Sequence, residues 1–129
     1  MAQKILVVED DEFLRELYQE LLTDEGYVVT LTVDGEEGFN KMKEGGYDLI
    51  LLDIMLPKMD GLEILRRLRE DPPKVKNGTV VLLTNLGQDS IIKEGFALGA
   101  SGYLIKSAMN PDQVLSEVKV FLSKAPSIS

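Results

Sequence analysis

Apolar residues along this chain follow two alternating rhythms. Short, nearly unbroken apolar runs at Ile5-Leu6-Val7-Val8, Tyr27 to Leu31, Leu49-Ile50-Leu51-Leu52-Asp53, Thr79-Val80-Val81-Leu82-Leu83-Thr84 and Gly102 to Lys106 read as strands. Between them, apolar residues recur at three- and four-residue spacing, which predicts helices. The first helix carries Leu14, Leu17, Tyr18, Leu21 and Leu22 and stops at Gly26. The second starts at Asp34-Gly35, turns Phe39 and Met42 inward and breaks at Gly45-Gly46. Asp60 is placed to cap a third helix that buries Leu62, Leu65 and Leu68 and ends at Asp71-Pro72-Pro73. A turn from Gly87 to Asp89 opens the fourth, with Ile91, Ile92 and Phe96, which stops near Gly99. Asn110 followed by Pro111 starts the last, whose inner face is Val114, Leu115, Val118, Phe121 and Leu122.

Strands alternating with helices of this length imply parallel βαβ units with right-handed crossovers. The expected architecture is α/β: a doubly wound five-stranded parallel sheet, order 2-1-3-4-5, with helices on both faces. That order sets the first and third strands side by side at the switch point, where such sheets place their sites. One domain is expected over residues 1–125, with residues 126–129 as a frayed tail.

Composition narrows the chemistry. There is no Cys and no His, so thiolate chemistry, Ser-His-Asp triads and zinc held by Cys or His are excluded. A net charge of -8 argues against nucleic acid as a partner, which needs clustered Lys and Arg. Four apolar residues after the first four are too few for a signal-peptide core or a membrane span, so the expectation is a cytoplasmic protein without membrane contact.

Polar residues collect where the strands end. Glu9 and Asp10 follow the first strand, Asp53 closes the third, Thr84 the fourth and Lys106 the fifth. Each alone has an ordinary explanation: acids start helices well, as suits Asp11 and Glu12, and a terminal Thr or Lys is a solvated strand end. Jointly they face one crevice. Three carboxylates together would raise one another's pKa unless a cation sat among them, and an oxygen-only donor set suits Mg²⁺ with a place left for a phosphate oxygen. Lys106 and Thr84 then read as partners for that phosphate, and Asp53 as the nucleophile of a phosphoryl transfer.

With Val8-Glu9-Asp10, Leu52-Asp53-Ile54-Met55-Leu56-Pro57, Asp60-Gly61, Leu83-Thr84 and Tyr103-Leu104-Ile105-Lys106 in place, nearly the whole chain resembles the receiver domain of bacterial two-component response regulators, in the manner of single-domain chemotaxis regulators. The resemblance implies a flavodoxin-like (βα)5 fold, Asp53 as phospho-acceptor, and Mg²⁺ held by Asp10, Asp53 and the Met55 carbonyl, with Glu9 helping through water. It further implies Lys106 as the phosphate-contacting lysine and Thr84 with Tyr103 as a switch pair. The partners implied are a sensor histidine kinase or phosphotransfer protein, and a protein target on the face of the fourth helix, fifth strand and fifth helix. Such a domain is not an enzyme toward other molecules; it promotes only its own phosphorylation and dephosphorylation. Two positions depart from the family. Ser107 stands where the family has a proline joined by a cis bond, and Asn85 where it has a smaller residue. No output domain follows the last helix, as expected of a single-domain regulator or of one domain of a longer protein.

Three other readings compete with this one. A Mg²⁺-dependent aspartyl-phosphate phosphatase would place a second acid where Met55 stands. A flavin-binding protein would need a phosphate loop after the first strand, where four acids stand instead. The remaining alternative is a receiver-like interaction module that is never phosphorylated, set against the presence of every residue the chemistry needs.

Overall fold

The computed structural model describes residues 2–85 and 88–123. The expected turn residue Gly87 and the tail 126–129 lie outside them. In chain order the elements are β1 (Lys4–Val8), α1 (Glu12–Asp24), β2 (Val28–Thr32), α2 (Gly35–Glu44), β3 (Leu49–Asp53), α3 (Gly61–Glu70), β4 (Thr79–Thr84), α4 (Asp89–Ala97), β5 (Gly102–Ile105) and α5 (Pro111–Ser123). The sheet is parallel throughout, in the order β2-β1-β3-β4-β5. No helix among the described residues is long and apolar enough to cross a membrane.

Side chains alternate across the sheet with the period of two that a strand imposes. Leu6, Val8, Ile50, Leu52 and Leu82 pack on one face with Met42 of α2 and Leu62, Ile64 and Leu65 of α3. Ile5, Val7, Leu49, Leu51, Val81 and Leu83 pack on the other with Tyr18 and Leu22 of α1 and Val114, Val118 and Leu122 of α5. Every residue of β3 is buried, as a strand covered on both faces requires.

Most boundaries fall where the pattern puts them, and the exceptions have local causes. β2 begins at Val28 and includes Thr32, one residue later at each end than expected. Tyr27 is held back because its N–H closes onto the Leu22 carbonyl after the left-handed Gly26, at φ 92°. Thr32 is drawn in because its buried hydroxyl donates to the Val7 carbonyl. β5 stops at Ile105 rather than Lys106, since a turn starts there with the Ala108 N–H donating to the Ile105 carbonyl. Phe96, grouped by spacing with Ile91 and Ile92, is instead 42% exposed and meets Tyr103 edge-on at 6.2 Å between ring centroids. Gly95 takes the inward place, where a Cβ would come within 2.4 Å of Leu82 Cδ1.

Four helices start on a side-chain cap. Asp11, Asp34, Asp60 and Asn110 accept from the backbone N–H of Leu14, Glu37, Glu63 and Gln113 respectively. At α4 the N-cap residue is Gln88, whose side chain makes no capping bond. The other half of α4 is tied to α3, through an ion pair between Arg66 and Glu94 and a 2.6 Å bond from Arg69 to the Ala97 carbonyl.

Candidate functional site

The switch in strand order brings the site together. β1 and β3 pair in register with Val8 opposite Leu52, so the next residue on each, Glu9 and Asp53, emerge side by side at their carboxyl ends. Asp10 follows Glu9, and one carboxylate oxygen from each of Glu9, Asp10 and Asp53 lies within 4.8 Å of the others. Glu9 is 0% exposed and Asp53 2%, whereas Asp10 is open to water. The donor set is oxygen-only, dense in negative charge and wet on one side, so the cluster can hold a metal ion that keeps part of its water shell.

The turn that carries these acids is pinned from α1. The Arg15 guanidinium donates to the backbone carbonyls of Glu9 and Asp10, both at 3.1 Å, and the Asp11 N–H donates to Glu9 Oε2 at 3.0 Å. The Asp53 carboxylate is held at both oxygens. Oδ1 accepts from the Met55 N–H at 3.1 Å, and Oδ2 accepts from Lys106 Nζ at 2.9 Å. Lys106 reaches this point from the end of β5, across β4, and its ammonium also lies 3.2 and 3.4 Å from the two Glu9 oxygens.

Burial pushes the Glu9 carboxyl up to about 7; the Asp11 N–H opposes this, the Asp53 charge adds to it and the Lys106 charge offsets part. Burial alone would lower the Lys106 ammonium, but its bond to Asp53 and the charges of Asp53 and Glu9 outweigh that and hold it above the ordinary lysine value. A buried lysine shared by two buried carboxylates offsets charge that would otherwise be costly to bury.

Of the residues expected at the rim, Glu9, Asp10, Asp53 and Lys106 therefore meet. Met55 sits beside Asp53 with its N–H on the carboxylate and the residue 58% exposed. Thr84 ends β4, 1% exposed, but its hydroxyl donates to Gln88 Oε1 and to the Asn85 carbonyl at 3.2 Å. Tyr103 is 43% exposed, on the outer side of β5. The Lys106–Ser107 bond is trans, since no cis peptide occurs among the described residues. Sequence reasoning missed Arg15 and Gln88. An arginine one turn into a helix that follows an acidic run was the only signal for the first; nothing in the pattern distinguished the second.

The family model described as "Response regulator receiver domain" matches residues 5–119. The chain is 39% identical over 117 residues to the transcriptional regulatory protein DltR of Streptococcus agalactiae serotype III strain NEM316, covering 91% of this chain and 50% of that protein. With the transcriptional regulatory protein ResD of Bacillus subtilis strain 168 it shares 36% identity over 126 residues, 98% of this chain and 50% of that protein. The chain thus spans about half the length of these curated relatives. Among solved structures it is similar to the chemotaxis protein CheY4 of Vibrio cholerae, with a TM-score of 0.80, 29% identity, and 94% and 99% of the two chains covered. The BeF3-activated DrrB receiver domain matches with a TM-score of 0.77 and 36% identity, over 95% of this chain and 99% of that one.

Proposed function

The chain belongs to the receiver domains of two-component response regulators, and from that premise we propose that Asp53 is its phospho-acceptor in a Mg²⁺-dependent transfer that switches a protein-binding face. The observation that carries the proposal is the fixing of the Asp53 carboxylate between the Met55 N–H and the Lys106 ammonium, inside a cluster of acids. A carboxylate aimed and anchored in this way suits in-line attack on phosphorus.

Asp10, Asp53 and the Met55 carbonyl would ligate Mg²⁺, with Glu9 contributing through water. The bound ion would offset negative charge gathering on the transferred phosphoryl group. An Asp53 oxygen forms the new bond to phosphorus while the phosphorus–nitrogen bond of a phosphohistidine breaks, and the imidazole leaves and takes up a proton. These 129 residues contain no histidine, so the donor, a sensor histidine kinase or phosphotransfer protein, lies outside them. Lys106 then donates to a phosphoryl oxygen and Thr84 brings its hydroxyl to another. Tyr103 turns into the space Thr84 leaves, and α4, β5 and α5 present a changed face to a protein target. The domain, taken as residues 1–125, acts in the cytoplasm and catalyses only its own phosphorylation and dephosphorylation.

Incubation with acetyl phosphate and Mg²⁺, read by intact mass, tests the assignment. Wild type gains one phosphoryl group and Asp53→Asn gains none. Equal labelling of the variant would place the acceptor elsewhere.

A further inference from the structure

Of the two phosphate partners, Lys106 already bonds Asp53, whereas Thr84 is committed away from it. Its hydroxyl donates to Gln88 Oε1, with the Asn85 carbonyl at 3.2 Å as a second acceptor, and the Asn85 N–H donates to the same Gln88 oxygen at 3.0 Å. Gln88 occupies the N-cap position of α4, at φ -110° and ψ 39°, and makes no side-chain cap bond there. The carboxamide that could serve the helix is turned back onto the end of β4 instead. Its two bonds close a small ring over residues 84, 85 and 88, holding the switch threonine by its hydroxyl.

We infer that Gln88 is a positioning residue that competes with the phosphoryl group for Thr84, and that its release lets its side chain cap α4. Resting on the reading of Thr84 as a phosphate partner, the inference supplies what that reading lacks, a cost for moving the hydroxyl and a route from it to the helix. When Thr84 turns to a phosphoryl oxygen, Oε1 loses one donor. The first turn of α4 has backbone N–H groups with no intrahelical partner, and a side-chain oxygen at the N-cap is the group that satisfies them. Glutamine is not among the side chains that cap best, so the cap returns only part of what the Thr84 bond gave and the phosphoryl group supplies the difference. The pull on Thr84 and the start of α4 are thereby one event.

The test is a double-mutant cycle on beryllofluoride binding in Mg²⁺, with Gln88→Met, which keeps length but loses the acceptor, and Thr84→Ala. Gln88→Met should tighten binding by up to about five-fold, because the Thr84 bond it removes, one ordinary hydrogen bond, outweighs the cap it forgoes. In the Thr84→Ala background the same change should have no effect, because nothing remains to be held. An unchanged affinity for Gln88→Met, or equal tightening in both backgrounds, overturns the inference. Failure of the underlying reading looks different: Thr84→Ala alone would bind beryllofluoride as wild type does. Gln88 is only partly buried and fills no core position, so its replacement leaves the fold intact, which a thermal melt of each variant checks.

Discussion

The two sides of β4 are built to different standards. On one, β1 and β3 have their apolar residues buried, α1, α2 and α3 each begin on an aspartate that caps them, and Arg15 staples the acidic turn. On the other, β5 has four residues, Phe96 and Tyr103 lean on each other in solvent, and α4 starts without a side-chain cap. Phosphoryl chemistry needs atoms that stay where they are, and signalling needs atoms that move. In the proposed function the two are separated across the width of one strand, β4, whose last residue, Thr84, serves both.

The contrast can be broken most sharply in the core. Ile64 of α3 is 0% exposed, so Ile64→Ala should cost about 2–5 kcal/mol by chemical denaturation, whereas Phe96→Ala should cost less than about 1.5 kcal/mol. Equal losses would mean the corner is packed as firmly as the site. A metal ion sharpens the same contrast. At ten times its dissociation constant Mg²⁺ should stabilise the protein by about 1.4 kcal/mol, raising the melting temperature by several degrees, and Asp10→Asn should remove most of that gain. Amide shifts on adding Mg²⁺ alone should cluster around residues 9, 10 and 53 and leave α4 still. The smallest effects are at the helix starts: Asp60→Ala should cost about 1 kcal/mol through its lost cap, and Gln88→Ala about as much through its lost Thr84 bond.

The legible part of the site was the part written in backbone topology. Strand order follows from alternation, and strand order alone brings Glu9, Asp53 and Lys106 to one rim, so their meeting could be expected from three residues at three strand ends. Helix starts were legible wherever a short acid or amide stood at the cap, as at Asp60 and Asn110. What escaped were choices between near-equal partners. Gln88 could cap a helix or hold a hydroxyl, and sequence does not weigh those bonds. Phe96 and Gly95 are adjacent, and which of them faces Leu82 depends on how closely α4 approaches β4, since only a residue without Cβ fits the inward place. The complete burial of Glu9 also lay beyond the pattern, because an acid beside two others reads as solvated until Lys106 is seen reaching over from β5.

In the proposed switch, the ties between α3 and α4 set the mechanics. Arg66 and Arg69 grip α4 at Glu94 and Ala97, while its first turn, roughly 9 Å away along the axis at 1.5 Å per residue, has no such grip from α3. A helix tied by polar bonds near one end, and held at the other through the packing of Ile91 and Ile92, has the freedom of a lever rather than a slider. The fulcrum is made of exposed charge, which salt screens. The proposed swing of α4, unlike the proposed chemistry at Asp53, should therefore loosen as ionic strength rises.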